Sequence, residues 1–182
     1  MKLKNLIIVA LLLAIGTVLH AVFPGIIFGM KSDLGLVMLF LSLFLFADIK
    51  TFVIIGLVDG ILAGLTTSMP GGFFPNVIDK LVTSTVVFLV IYLFAHYFQA
   101  KGKYVFGVVL AGLGTVLSGT IFLTMAILVA GMNSAAFGAL FITMVLPTAL
   151  ANLVLFAVLY PIIVKIGERS GFLKTLPKPT LH

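Results

Sequence analysis

The residues with the clearest chemical content in this sequence open one of its apolar runs: Asn76, Asp79, Lys80, Thr83 and Ser84. On a helix their spacing puts all five on one face. At 1.5 Å per residue the stripe runs ~12 Å down that face. Ionisable side chains placed among apolar residues at bilayer depth cost ~2.5 to 3.5 kcal/mol each, so they face a cavity or a partner. The stripe is therefore a candidate ligand site. The competing reading is structural: Asp79 and Lys80 satisfy neighbours inside a helix bundle or reach to the surface.

Catalytic chemistry finds less support. There is no cysteine, which removes thiol nucleophiles, disulfides and thiolate metal sites together. His20, His96 and His182 have no metal-binding spacing, so neither a metal nor a cofactor is expected. A rhomboid-like serine protease would need a GxSG element and a base, but Ser118 lacks the preceding glycine and the last apolar run holds no histidine. No GxxxxGK[ST] loop occurs, so any use of ATP must come from a partner. The expectation is a protein that is not an enzyme.

The elements that must position the stripe are apolar throughout. Of the 182 residues 62% are hydrophobic and 9% charged, with a mean hydropathy of +1.35, far from the make-up of a soluble domain. A bilayer core of ~30 Å needs ~20 apolar residues per helix. The runs fall at about 5–23, 34–47, 51–68, 76–98, 104–130 and 137–164, so the expected fold is an all-α membrane protein of six transmembrane helices in a single domain. The runs are continuous, not alternating, which excludes a β-barrel. The short second run points to a tight turn at Asp48 within a helical hairpin.

The net charge of +6 is spread through the breaks between runs, a pattern of membrane topology and not of nucleic-acid binding. With the N-terminus inside, the cytoplasmic side holds Lys2, Lys4, Lys50, Lys101, Lys103, Lys165, Arg169, Lys174 and Lys178, leaving Lys31 and Lys80 for the outer side. A multi-pass protein of the cell membrane, in contact with lipid and with both termini cytoplasmic, is expected.

Helices in lipid associate through small residues. Gly56, Gly60 and Gly64 line one face of the third run, and Gly107, Ala111, Thr115 and Gly119 one face of the fifth; both suit internal packing. Ala10 and Ala14 mark a face of the first run that could instead meet an external partner. Pro147 frees the carbonyl of Thr143, either as a simple kink or as an opening near Asn152. Asp59, midway along the third run, has no evident partner unless Lys80 reaches it, and reads as structural. Asp33 suits a helix N-cap. Phe73 and Phe74 lie beside the stripe.

Taken in order, Gly29, Met30, Lys31 and Asp33, then Pro75, Asn76, Ile78, Asp79 and Lys80, then Thr115, Leu117, Ser118 and Gly119, then Leu146, Pro147, Asn152, Tyr160 and Pro161 form a pattern. It resembles the tryptophan transporter TrpP family, which is similar to the substrate-binding S components of energy-coupling factor (ECF) transporters. The resemblance implies an S-component-like bundle that captures L-tryptophan on the outer side. It also implies docking on a transmembrane T component driven by two ABC-type ATPase subunits, with Ala10 and Ala14 matching the AxxxA docking pattern. The substrate residues it points to are Lys31, Asp33, Asn76, Asp79, Lys80, Thr83 and Asn152. A zwitterion needs a cation for its carboxylate and an anion for its ammonium, and Lys80 and Asp79 supply one of each.

Two other transport readings stand beside this one. An S component could carry a vitamin, and an ion-coupled secondary transporter for an amino acid or another small metabolite could use Asp59 and Asp79, although no internal repeat is visible. The topology is directly testable because native cysteine is absent: a Gly102→Cys variant in intact cells should resist an impermeant thiol reagent and label only after permeabilisation. Labelling without permeabilisation would reverse the assigned orientation.

Overall fold

The computed structural model describes residues 3–22 and 33–171, and over them the chain is helical. Lys2, Gly29, Met30, Lys31, Lys174, Lys178 and His182 lie outside the described residues. The helices are α1 (Leu3–Val22), α2 (Leu34–Phe46), α3 (Phe52–Thr66), α4 (Phe73–Phe94), α5 (Ala100–Leu128), the short α6 (Phe137–Leu140) and α7 (Leu146–Arg169). A π-helical segment, Phe141–Val145, joins α6 to α7, so these form one rod. The described chain is thus six rods. Four of them are long and apolar enough to cross a membrane, and α2 and α3 are shorter.

The shortness of α2 has a structural counterpart. Its 13 residues are almost all apolar and nearly all buried, and a helix hydrophobic all round belongs in an interior. It packs against α1, α3, α4, α5 and α7. At ~1.5 Å per residue it is ~20 Å long, too short for a ~30 Å core. Because other helices wrap it, its ends need not reach water, provided their polar groups find partners. At one end Asp33 caps the helix, accepting the Leu36 N–H at 2.9 Å. At the other, Thr51 Oγ1 donates to Asp48 Oδ1 at 2.8 Å and the Asp48 N–H donates to Thr51 Oγ1 at 3.1 Å, closing the tight turn into α3.

Small residues bring the helices together where the sequence places them. A Cβ on Gly60 would lie 2.9 Å from Val77 Cα and 3.3 Å from Lys80 Cβ, and one on Gly56 would collide with Ser84. On α5, Gly107 faces Phe156 and Gly119 faces Val145, while Ala111 and Thr115 are buried between them. Ala10 and Ala14 are exposed on α1.

Both prolines of the last rod are accommodated. The π-helical turn immediately precedes Pro147, with the Leu146 N–H reaching Phe141 O, the kind of local adjustment that absorbs a missing donor. Pro161 strips the Ala157 carbonyl of its helical donor, and the Tyr104 hydroxyl of α5 donates to that oxygen at 3.0 Å.

The close approach of α3 to α4 matters because Lys80 lies on the contact. Gly60→Ala forces a Cβ against the Val77 backbone and should destabilise the fold by about 1 to 3 kcal/mol. Gly138→Ala, which meets nothing within 4 Å, is the matched control. Thermal unfolding of both variants in detergent should separate them.

Candidate functional site

The site starts with Lys80, whose side chain is 3% exposed. Burial of an ammonium is sustained only when its donors are taken up. Lys80 Nζ lies 3.0 Å from Asp33 Oδ2 and 3.1 Å from Asp79 Oδ2, and donates to Ser118 Oγ at 3.3 Å. The cluster thus joins the cap of α2, the stripe of α4 and the middle of α5. Asp79, also fully buried, accepts at Oδ2 from Ser118 Oγ (2.8 Å) and at Oδ1 from Thr83 Oγ1 (2.9 Å). Asp79 therefore holds Lys80 from behind, and its oxygens are engaged within the bundle.

The other expected residues fall into two groups. Asn76 sits above the cluster, its Nδ2 donating to Gly72 O at 2.8 Å. Ser84 turns to Leu81 O at 3.0 Å. Asn152 is fully buried in α7 and donates to Thr115 Oγ1 of α5 at 3.1 Å, which places it in the α5–α7 contact, about one turn along α5 from Ser118. Lys31 lies outside the described residues. Of the expected set, then, the structure joins Asp33, Asp79, Lys80 and Thr83 directly, with Asn76 nearby.

Above Lys80 a cavity of about 100 Å³ opens at the Asp33 end, lined by Thr17 and His20 of α1, Asp33 and Gly35, Asp59, Ala63 and Thr66 of α3, Thr67, Ser68 and Asn76. Its volume is well below the ~300 to 1,000 Å³ of pockets that enclose whole small-molecule ligands. It suits a charged head group. Asp33, with 27% of its side chain exposed, belongs to both cavity and cluster. His20 Nδ1 is 4.0 Å from Asp33 Oδ1.

No Phe or Tyr is among these lining residues. One group of aromatic rings lies toward the Asp48 end, where Phe44 packs on Phe106, Phe156 and Tyr160 and Tyr104 packs on Tyr160, while Phe73 and Phe74 pair edge to face at the start of α4.

Sequence reasoning overlooked Ser118 as a partner of Lys80 and Asp79, and overlooked the cavity roles of Thr17, His20 and Asp59. No local signal marks Ser118, which meets α4 residues 38 and 39 positions away. For Asp59 the signal was present, a carboxylate deep in an apolar run, but its surroundings depend on where α2 lies.

The architecture is that of a multi-pass membrane protein with a buried ionic cluster beneath a polar cavity at one end of the bundle. The sequence profile of the tryptophan transporter TrpP family matches residues 2–167. A probable tryptophan transport protein of Bacillus subtilis is 40% identical over 174 residues, covering 96% of this chain and 98% of its own. One of the same name from Clostridium acetobutylicum is 41% identical over 128 residues, 70% of this chain and 73% of its own. Another, from Clostridium perfringens, is 36% identical over 129 residues, 68% and 71% of the two chains. No solved structure matches. The chain belongs to the tryptophan transporter TrpP family.

The cluster makes a stability prediction. Ser118→Ala removes both a donor to Asp79 and an acceptor from Lys80, and hydrogen bonds to charged groups are worth about 1.5 to 3 kcal/mol. The variant should lose about that much by denaturation in detergent, whereas Thr120→Ala, whose hydroxyl bonds only its own helix at Val116 O, should change little.

Proposed function

We propose that this chain is the substrate-binding S component of an ECF-type importer for L-tryptophan, and not an enzyme. Membership of the TrpP family over nearly the whole chain carries the reading, and the ionic cluster beneath an open polar cavity supports it, because a zwitterion is recognised by fixed charges. With both termini cytoplasmic, the cavity faces outward and captures the amino acid there. Lys80 supplies the positive field for the carboxylate, Asp33 is the cavity-side member of its ion pair, and Asn76 is a polar group at the wall. Thr83 and Asp79 hold the lysine in place. Lys31, Asp33 and Asn152 keep the substrate-binding roles that the family resemblance implies, and Asn152 also joins α7 to α5 through Thr115.

The transport machinery lies in partners: a T component and two ABC-type ATPase subunits. The exposed Ala10 and Ala14 stand on an α1 face flanked by exposed Ile7, Leu11, Ile15 and Val18. Small side chains there permit close approach of another helix within the bilayer. One observation favours an ion-coupled transporter as the second reading, namely a buried carboxylate, Asp59, with an unpartnered oxygen.

The test separates binding from transport. Purified protein should bind L-tryptophan in calorimetry. Reconstituted vesicles should take it up only with the T component, the ATPases and ATP, and not under an ion gradient alone. Ala14→Phe should retain binding within about twofold, because the residue is exposed, while blocking uptake through the loss of close helix contact. Equal loss of both in a folded protein would end the docking assignment; gradient-driven uptake by the chain alone would establish the second reading.

A further inference from the structure

Three carboxylates, Asp33, Asp59 and Asp79, gather around one lysine at this end of the bundle, and the lysine's close partners are Asp33 and Asp79. Asp59 is left over. It is 1% exposed, its Oδ2 has no hydrogen-bond partner, and it lines the cavity. A buried polar atom without a partner is costly, and the side chain that carries it also lines the cavity and turns its other oxygen, Oδ1, toward Gly35.

Gly35 shapes that space. A Cβ there would lie 3.3 Å from Asp33 Oδ1 and 3.7 Å from Asp59 Oδ1, so the absence of a side chain leaves a small gap that both carboxylates face. From Asp59 the cavity rises along α3 past Ala63 to Thr66, Thr67 and Ser68, ~10 Å of helix. The floor carries the carboxyl groups of Asp33 and Asp59, and the walls carry Thr, Ser and Asn side chains, with His20 near Asp33.

We infer that Asp59 and Asp33, across the gap left by Gly35, form the subsite for the α-ammonium group of the substrate. An ammonium presents three donors and no acceptor, which matches a gap bounded by carboxylate oxygens. It also balances the excess of acid over base in the cluster, since Lys80 is already shared between Asp33 and Asp79. The cavity holds the charged head group and the indole projects out of it. The assignment rests on the tryptophan reading above, and it gives the ammonium to α3 instead of to Asp79 on α4.

The experiment measures displacement of labelled L-tryptophan by L-tryptophan and by indole-3-propionate, which lacks the amine, in sodium and in choline buffers. The unmodified protein should favour tryptophan. Asp59→Asn should weaken tryptophan by about tenfold to a hundredfold and change indole-3-propionate by less than about threefold, erasing the preference in both buffers. Gly35→Ala, whose methyl group enters the gap and needs Asp33 Oδ1 to give by a few tenths of an ångström, should reduce the same preference in a protein that still unfolds cooperatively, and it carries the test if Asp59→Asn does not fold. Parental tryptophan affinity in Asp59→Asn, a preserved preference in Gly35→Ala, or equal weakening of both compounds would overturn the assignment. So would a loss confined to sodium buffer, which would make the site one for an inorganic cation. If the unmodified protein binds no tryptophan, the substrate reading falls as well, an outcome distinct from these.

Discussion

A lysine ammonium buried inside a membrane protein must be surrounded by acceptors, and at Lys80 this requirement ties together three helices. Asp33 comes from the cap of α2, Asp79 from one residue earlier on α4, and Ser118 from α5. Removing one member of such a set leaves the others charged and unpaired, at a cost of about 3 to 5 kcal/mol for a broken buried pair. The cluster therefore constrains α2, α4 and α5 to a single relative placement at the cavity end. Asp33 has two tasks there, capping α2 and pairing with Lys80, so the helix start and the ion pair are one structural unit.

The rest of the bundle is organised by packing and not by hydrophobic sorting, because lipid tails are as apolar as the side chains. Glycines on α3 admit α4 at backbone distance, and those on α5 admit Phe156 and Val145. Within this shell α2 is apolar all round except for Ser42 and has no lipid-facing side. Because α2 is shorter than its neighbours, its polar cap need not extend to the bilayer surface, and it meets Lys80 inside the bundle. Helix packing and the ionic cluster thus share residues at the α3–α4 contact, where a Cβ on Gly60 would lie 3.3 Å from Lys80 Cβ.

The polar cavity and the apolar exposed face of α1 are spatially distinct uses of one helix. Thr17 and His20 turn toward the cavity, while Ala10 and Ala14 turn outward. In the proposed importer this lets one helix sense substrate near one end and meet a partner along its outer face. Polar and aromatic groups are divided in a similar way: the ionic cluster lies at one end, and Phe44, Phe156 and Tyr160 pack together toward the other.

The membrane class, the succession of six helices, the stripe on α4 and the small-residue faces of α3 and α5 are legible in the chain before it folds. Each of these follows from local composition or from helical periodicity, which a single segment carries in full. The sequence also holds the family pattern across the chain. Folding adds that Asp79 is turned to Lys80 and Ser118, that Asn152 joins the α5–α7 contact, and that Asp59 lines a cavity. Those outcomes depend on which helix faces which, and α2 illustrates the reason: its almost uniformly apolar surface carries no periodic signal to mark a buried side. Its central position, and the ion pair formed at its cap, emerge only when five neighbours close around it.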